Sequence, residues 1–149
     1  MFQLKSTIIA LLLCSLFWLS VGLTQDMQST QAHDWPQWRG KHRDGISAET
    51  GLLESWPAEG PQESWRKSLG DGFSSVSICQ DKAYTMFDQG GKQYLVCLKA
   101  ATGEEVWRTA LDAAYENSWG NGPRTTPAIA GSLAITATAY AKLYAVETW

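Results

Sequence analysis

The sequence predicts an all-β protein built from repeated four-stranded antiparallel units, about two of them in this chain. Three observations lead there. Eight Trp and thirteen Gly among 149 residues favour short strands joined by tight turns over a helix bundle. From residue 63 onward, short alternating or continuous apolar runs are each bounded by Gly- or Asp-containing turns. Those runs then recur in the same order at offsets of 42 to 51 residues. With 44% hydrophobic and 18% charged residues the chain is suited to burying a core. A net charge of −3 offers no electrostatic reason to expect nucleic acid or an acidic membrane as partner.

The start of the chain reads as an export signal. Lys5 supplies a short positive region, and Ile8 to Leu19 is an apolar stretch of h-region length. Ser20-Val21-Gly22 places small residues where a signal peptidase reads, so cleavage is expected after Gly22. A spanning helix needs roughly 20 apolar residues, and this stretch ends sooner. Cys14 follows Leu11-Leu12-Leu13 in a loose lipobox, but Leu13 is too large for the position before an acylated Cys. The expected divisions are a signal peptide at 1–22, a polar tether at 23–33 and an N-terminal lead-in segment at 34–62. Trp35-Pro36, Trp56-Pro57 and Gly60-Pro61 keep that lead-in extended or irregular rather than helical.

The first unit is expected over 63–111. Ser64 to Leu69 reads as a strand ending at Gly70-Asp71-Gly72, and Ser74 to Ile78 alternates polar and apolar as a half-buried strand does. Gln80-Asp81 turns into Lys82 to Phe87, and Asp88-Gln89-Gly90-Gly91 turns again. Tyr94 to Leu98 is continuously apolar, the mark of a strand covered on both faces. Ala101-Thr102-Gly103 makes a tight connection, with Gly103 able to take positive φ. Glu105 to Leu111 closes the unit, with Val106 and Arg108 on one face and Trp107, Thr109 and Leu111 on the other. An incomplete second unit is expected over 112–149.

Self-similarity decides the architecture. Trp65-Arg66-Lys67-Ser68-Leu69 matches Trp107-Arg108-Thr109-Ala110-Leu111 at an offset of 42. Val76-Ser77-Ile78 matches Pro127-Ala128-Ile129, and Ala83-Tyr84-Thr85 matches Ala134-Ile135-Thr136, both at 51. Leu95-Val96-Cys97-Leu98 matches Leu143-Tyr144-Ala145-Val146 at 48. Periods of roughly 40–50 residues point to propellers and similar arrays. A four-stranded meander of this length is the size of one propeller blade, so the expected fold is a partial β-propeller.

Cys97-Leu98-Lys99-Ala100-Ala101-Thr102-Gly103-Glu104-Glu105-Val106-Trp107 resembles the tryptophan-docking motif of pyrroloquinoline-quinone (PQQ)-like propeller repeats. The Thr-Gly followed by Trp four residues on is intact. Cys97 stands where that family usually has Ala, and Lys99 where it usually has Asp. Trp35-Pro36-Gln37-Trp38-Arg39-Gly40 and Gly122-Pro123-Arg124-Thr125-Thr126-Pro127 add to the likeness, which covers residues 34–148. It is similar to exported bacterial proteins of the outer-membrane-protein-assembly-factor type. The resemblance implies a seven- or eight-bladed parent, with Ala100, Thr102, Gly103 and Trp107 as structural docking residues. At the 48-residue offset Trp149 falls inside a second copy of the motif, so a truncated propeller is expected.

Catalytic residues are harder to find. The quinone enzymes of that family hold PQQ and Ca²⁺, usually beside a disulfide of adjacent Cys, and this chain has no adjacent Cys pair. Cys79 and Cys97 fall on the first and third strands of a blade, ~9–10 Å apart at ~4.8 Å per strand, beyond the ~7 Å reach of a disulfide. Glu116, Asn117, Asn121 and Arg124 cluster in the loop between the units; they would either face a ligand or form a solvated, turn-capped loop. The repeated Arg66 and Arg108 read as edge ion pairs. His33 and His42 lack partners at metal-ligand spacing. The expected role is non-catalytic protein binding or scaffolding in the bacterial cell envelope, with envelope or outer-membrane proteins as partners, no cofactor, and a periplasmic or extracellular location. The alternatives are an N-terminal fragment of a PQQ-dependent alcohol or sugar dehydrogenase using PQQ and Ca²⁺, or a non-functional truncated product.

Overall fold

A computed structural model describes residues 33–149; the expected signal peptide and all of the tether except His33 lie outside the described residues. Short apolar runs and two-residue turns produce an all-β arrangement, with seven strands in two antiparallel sheets among the described residues. The first sheet holds β1 (Ser77–Cys79), β2 (Lys82–Gln89), β3 (Lys92–Lys99) and β4 (Glu105–Ala113), in that order. The second holds β5 (Ala128–Ala130), β6 (Leu133–Ala137) and β7 (Leu143–Glu147), also in sequence order.

Turn chemistry sets the registers. Gln89 faces Lys92 across Gly90 and Gly91, both at positive φ, which only glycine adopts without strain at both positions of a primed hairpin turn. The expected turn is thus shorter than Asp88–Gly91, because Asp88 and Gln89 remain in the ladder. Cys79 faces Lys82 and Ala130 faces Leu133. Each of those hairpins begins its turn at positive φ, on Gln80 and on Gly131, residues related by the 51-residue offset.

Both faces of the first sheet are covered. Leu95, Val96 and Cys97 are fully buried, as the continuous apolar run predicts. Tyr84, Met86, Leu95 and Cys97 pack against Ala134, Ile129 and Val146 of the second sheet, together with Trp107 and Leu111. On the opposite face Ala83, Phe87, Val96 and Leu98 pack against Trp65 and Leu69. Buried polar groups stitch the sheets together. The Ser77 hydroxyl donates to the Pro127 carbonyl. Gln93 donates to the Ala113 carbonyl at 2.8 Å and accepts the Ala139 N–H at 2.9 Å. That satisfies a fully buried amide that would otherwise be costly.

Two expected strands change. Residues 64–69 alternate in exposure as a strand should, yet no backbone group of 63–68 pairs with another among the described residues. The segment packs one face on the first sheet, and only at its end does a side chain reach its backbone, Gln89 Nε2 donating to the Leu69 carbonyl at 3.1 Å among the described residues. The Ser74–Ile78 strand begins only at Ser77. Residues 74 and 75 reach β2 through side chains instead: Ser74 Oγ accepts the Met86 N–H, and Thr85 Oγ1 donates to the Ser75 carbonyl. The lead-in at 34–62 contains no helix. Trp35 bridges β1 through two bonds with Ile78 (2.8 and 2.9 Å), and the Pro36 carbonyl accepts Ile129 N–H of β5. The lead-in therefore ties together the first strands of both sheets.

Candidate functional site

Two regions hold the residues singled out in the sequence: the docking turn after β3, and the loop from Ala114 to Pro127 that joins the sheets.

In the docking turn, Gly103 N–H and Thr102 N–H both reach the Lys99 carbonyl, at 2.9 and 3.3 Å. Thr102 Oγ1 accepts the Glu104 N–H at 3.3 Å, a local side-chain bond that helps close the turn. The ring that docks here is Trp65, which donates its indole N–H to the Ala100 carbonyl at 2.9 Å. A Cβ on Gly103, whose φ is +69°, would collide with that ring. Trp107 docks elsewhere, donating to the Thr148 carbonyl at 3.4 Å, just past the end of β7. Ala100 and Thr148 are 48 residues apart, the offset that relates β3 to β7. The turn residues Ala100, Thr102 and Gly103 and Trp107 thus serve two successive docking contacts rather than one. Sequence reasoning misses Trp65 as the partner of this turn, although its match to Trp107 is the signal for it.

The loop residues do not form a pocket of free donors. Asn121 Oδ1 accepts the Asn117 N–H at 3.1 Å. Asn117 Oδ1 takes the Trp119 N–H, and its amide donates to Tyr115 Oη. Arg124 donates to the carbonyls of Gly120 and Gly122 at 2.7 and 3.0 Å. Its guanidinium lies 5.3 Å from the ring centres of both Phe73 and Tyr115, a cation–π sandwich. Glu116 is exposed. These are turn-forming and ring-holding roles, and the surface they shape is aromatic. Trp38, Phe73 and Arg124 line one open cleft of about 390 Å³, and Trp119, in the same joining loop as Arg124, is 90% exposed.

Asp88 anchors the root of this loop. Its Oδ2 accepts the Tyr115 N–H at 2.7 Å, while its buried Oδ1 has no partner among the described residues. Burial pushes this carboxyl above the ordinary range, the Tyr115 N–H opposes that, and Asp71 adds to it. A folded-state pKa above the unfolded value gives stability that is present at low pH and lost as pH rises through the folded value. The melting temperature of wild type minus that of Asp88→Asn should therefore fall between pH 4 and pH 7. A flat difference across that range would show the orphan oxygen to be solvated.

Neither of the two cysteines among the described residues, Cys79 and Cys97, is poised for chemistry. Both are free thiols. Burial and the nearby Asp34 carboxylate push Cys79 up to about 11, and burial raises Cys97. His33 and His42 line one cleft with Asp34, but no group of three or more His, Cys, Asp or Glu placed to hold a metal occurs among the described residues. The sequence has no vicinal thiols, and in the loop the side-chain oxygens of Asn117 and Asn121 and the Arg124 guanidinium are taken up by backbone groups of the loop itself. Comparison with family models, with characterised proteins and with solved structures returns no match to this chain.

Proposed function

We propose that the chain is a non-catalytic segment of a PQQ-like β-propeller, exported to the bacterial cell envelope, where it binds protein partners. Support for the fold reading is the repeated docking geometry. Trp65 and Trp107, 42 residues apart, donate to carbonyls 48 residues apart at the ends of equivalent strands. Each indole clips one layer to the next, the job a large flat ring does well.

The observation that carries the binding role is the exposed aromatic surface around Arg124. Trp38, Phe73 and Trp119 are 63%, 60% and 90% exposed, and Trp and Arg are the residue types that dominate binding hot spots. The loop bonds of Asn117, Asn121 and Arg124 hold this surface in shape before a partner arrives, which lowers the ordering cost of association. Its chemistry suits a protein surface with an apolar centre and carbonyl or carboxylate groups at the rim.

The test is capture of envelope proteins by immobilised chain, compared with Trp119→Ala and Phe73→Ala variants of unchanged melting temperature. The expected result is a defined partner whose binding drops at least tenfold in both variants, about 1.4 kcal/mol. Equal capture by the variants would refute the surface. Stoichiometric retention of added PQQ with Ca²⁺, with dye-linked alcohol or sugar oxidation, would overturn the non-catalytic reading.

A further inference from the structure

Arg124 differs from the two arginines of the repeated strands. Arg66 and Arg108 are each closed on a carboxylate three residues earlier, Glu63 and Glu105. No acidic side chain lies within ion-pair distance of Arg124 among the described residues. Of its five N–H donors, one on each terminal nitrogen goes to the carbonyls of Gly122 and Gly120. The other three, Nε–H among them, have no partner among the described residues. Phe73 and Tyr115 place their ring centres 5.3 Å from the guanidinium, and Tyr115 is itself held edge-on by Tyr140 at 5.4 Å. A full positive charge is thus fixed in position by neutral groups alone.

Two clefts adjoin at this charge, since Arg124 and Thr125 line both. One, of about 350 Å³, is completed by Tyr115 and by Ala137, Thr138, Ala139 and Ala141 after β6. The other, of about 390 Å³, is completed by Trp38, Phe73, Ser75 and Thr126. Their walls come from the lead-in, the segment before β1, the joining loop and the turn after β6.

We propose that this surface binds an extended acidic peptide segment of a protein partner, with an aspartate or glutamate carboxylate on Arg124 and an apolar side chain in each adjoining cleft. The proposal rests on the protein-binding reading above and names what that surface selects. A planar guanidinium with its Nε–H and a terminal N–H free offers the fork that a carboxylate accepts in bidentate fashion. In an extended chain, residues two apart point to the same face at ~7 Å spacing. The segment therefore reads apolar, any residue, acidic, any residue, apolar. A small free anion would fill the fork and leave the rings of Trp38 and Phe73, 63% and 60% exposed, uncovered; a peptide covers both.

The experiment is isothermal titration of the chain with a short peptide blocked at both ends. It carries a central aspartate, its only charge, and a tryptophan two positions to each side. The expected result is binding that weakens about tenfold or more when asparagine replaces the aspartate, the loss of a charge-assisted bond. That preference should vanish in Arg124→Gln and persist in Arg66→Gln, whose exposed charge is already paired. Arg124→Lys, which keeps the charge without the fork, should lose most of it. A smaller preference in the unsubstituted chain overturns the proposal, and needs no variant to fold. Equal binding of the two peptides would do so while leaving the protein-binding surface standing, and binding of neither would do so with the capture experiment still to decide that surface. A preference that survives Arg124→Gln places the carboxylate elsewhere and also overturns it. Displacement of the peptide by an equal concentration of inorganic phosphate would make this a site for free anions instead.

Discussion

Replacing Trp107 with alanine should lower the unfolding free energy by roughly 3 kcal/mol, the low end for a Trp-to-Ala truncation because the ring is only partly buried. The residue sits on β4 yet spends its side chain on the neighbouring sheet. Its ring lies 6.1 Å from that of Tyr84 at 55° and packs in the cluster that joins Leu95 and Cys97 to Ala134 and Val146. Truncation removes contacts on both sheets at once and leaves the Thr148 carbonyl without its donor. Trp107→Phe should cost only about 1 kcal/mol, since most of the packing survives and a 3.4 Å hydrogen bond is a weak one. Trp38→Ala, whose side chain is 63% exposed, should stay within about 0.5 kcal/mol. Urea midpoints at constant slope would rank the three. Hydrogen exchange adds a spatial readout: β5–β7 amides should exchange faster in Trp107→Ala while β2 and β3 remain protected. Uniform loss of protection across both sheets would mean that Trp107 supports the whole fold rather than the joint.

What the sequence makes legible, and what it hides, divides along a physical line. Tyr94 to Leu98 announces a doubly covered strand because both faces of a buried strand are apolar, and the fully buried Leu95, Val96 and Cys97 bear this out. The faces of β4 are equally readable from period-two alternation. Edges leave no such trace. The pattern of Ser64 to Leu69 reports which side chains point inward, but nothing in it says whether the backbone beside them is paired. The same holds for Ser74 to Val76, where hydroxyls of Ser74 and Thr85 replace ladder bonds. In the joining loop, Asn117 and Asn121 are turn formers of the kind local chemistry predicts. The purpose of Arg124 is not readable, because its partners are the carbonyls of Gly120 and Gly122 and the rings of Phe73 and Tyr115, and only folding brings Phe73 to the loop. The docking motif is visible as a motif, but its pairing is not. A repeat makes neighbouring copies look self-sufficient when each contact spans two of them.

Gly103→Ala tests that spanning contact from the other side, and its expected cost is about 3 kcal/mol. Two strains add there. Holding a Cβ at positive φ costs roughly 1–2 kcal/mol, and forcing it into a packed ring costs roughly 1–3 more. Gly90 isolates the first strain, because its φ is +55° and a Cβ there meets nothing within 4 Å. Gly90→Ala should therefore cost only about 1 kcal/mol, and the excess at Gly103 reads the Trp65 contact. A double-mutant cycle makes the assignment explicit. Removing the ring in Trp65→Ala opens the space that the new methyl needs, so Gly103→Ala should cost about as much as Gly90→Ala in that background. A coupling near ~2 kcal/mol between residues 38 positions apart would show that the glycine is there for the tryptophan of the preceding copy. Strict additivity would instead assign the cost to the turn alone. The Trp65 indole would then be resting on Ala100 and the turn without constraining which residue occupies its tightest point.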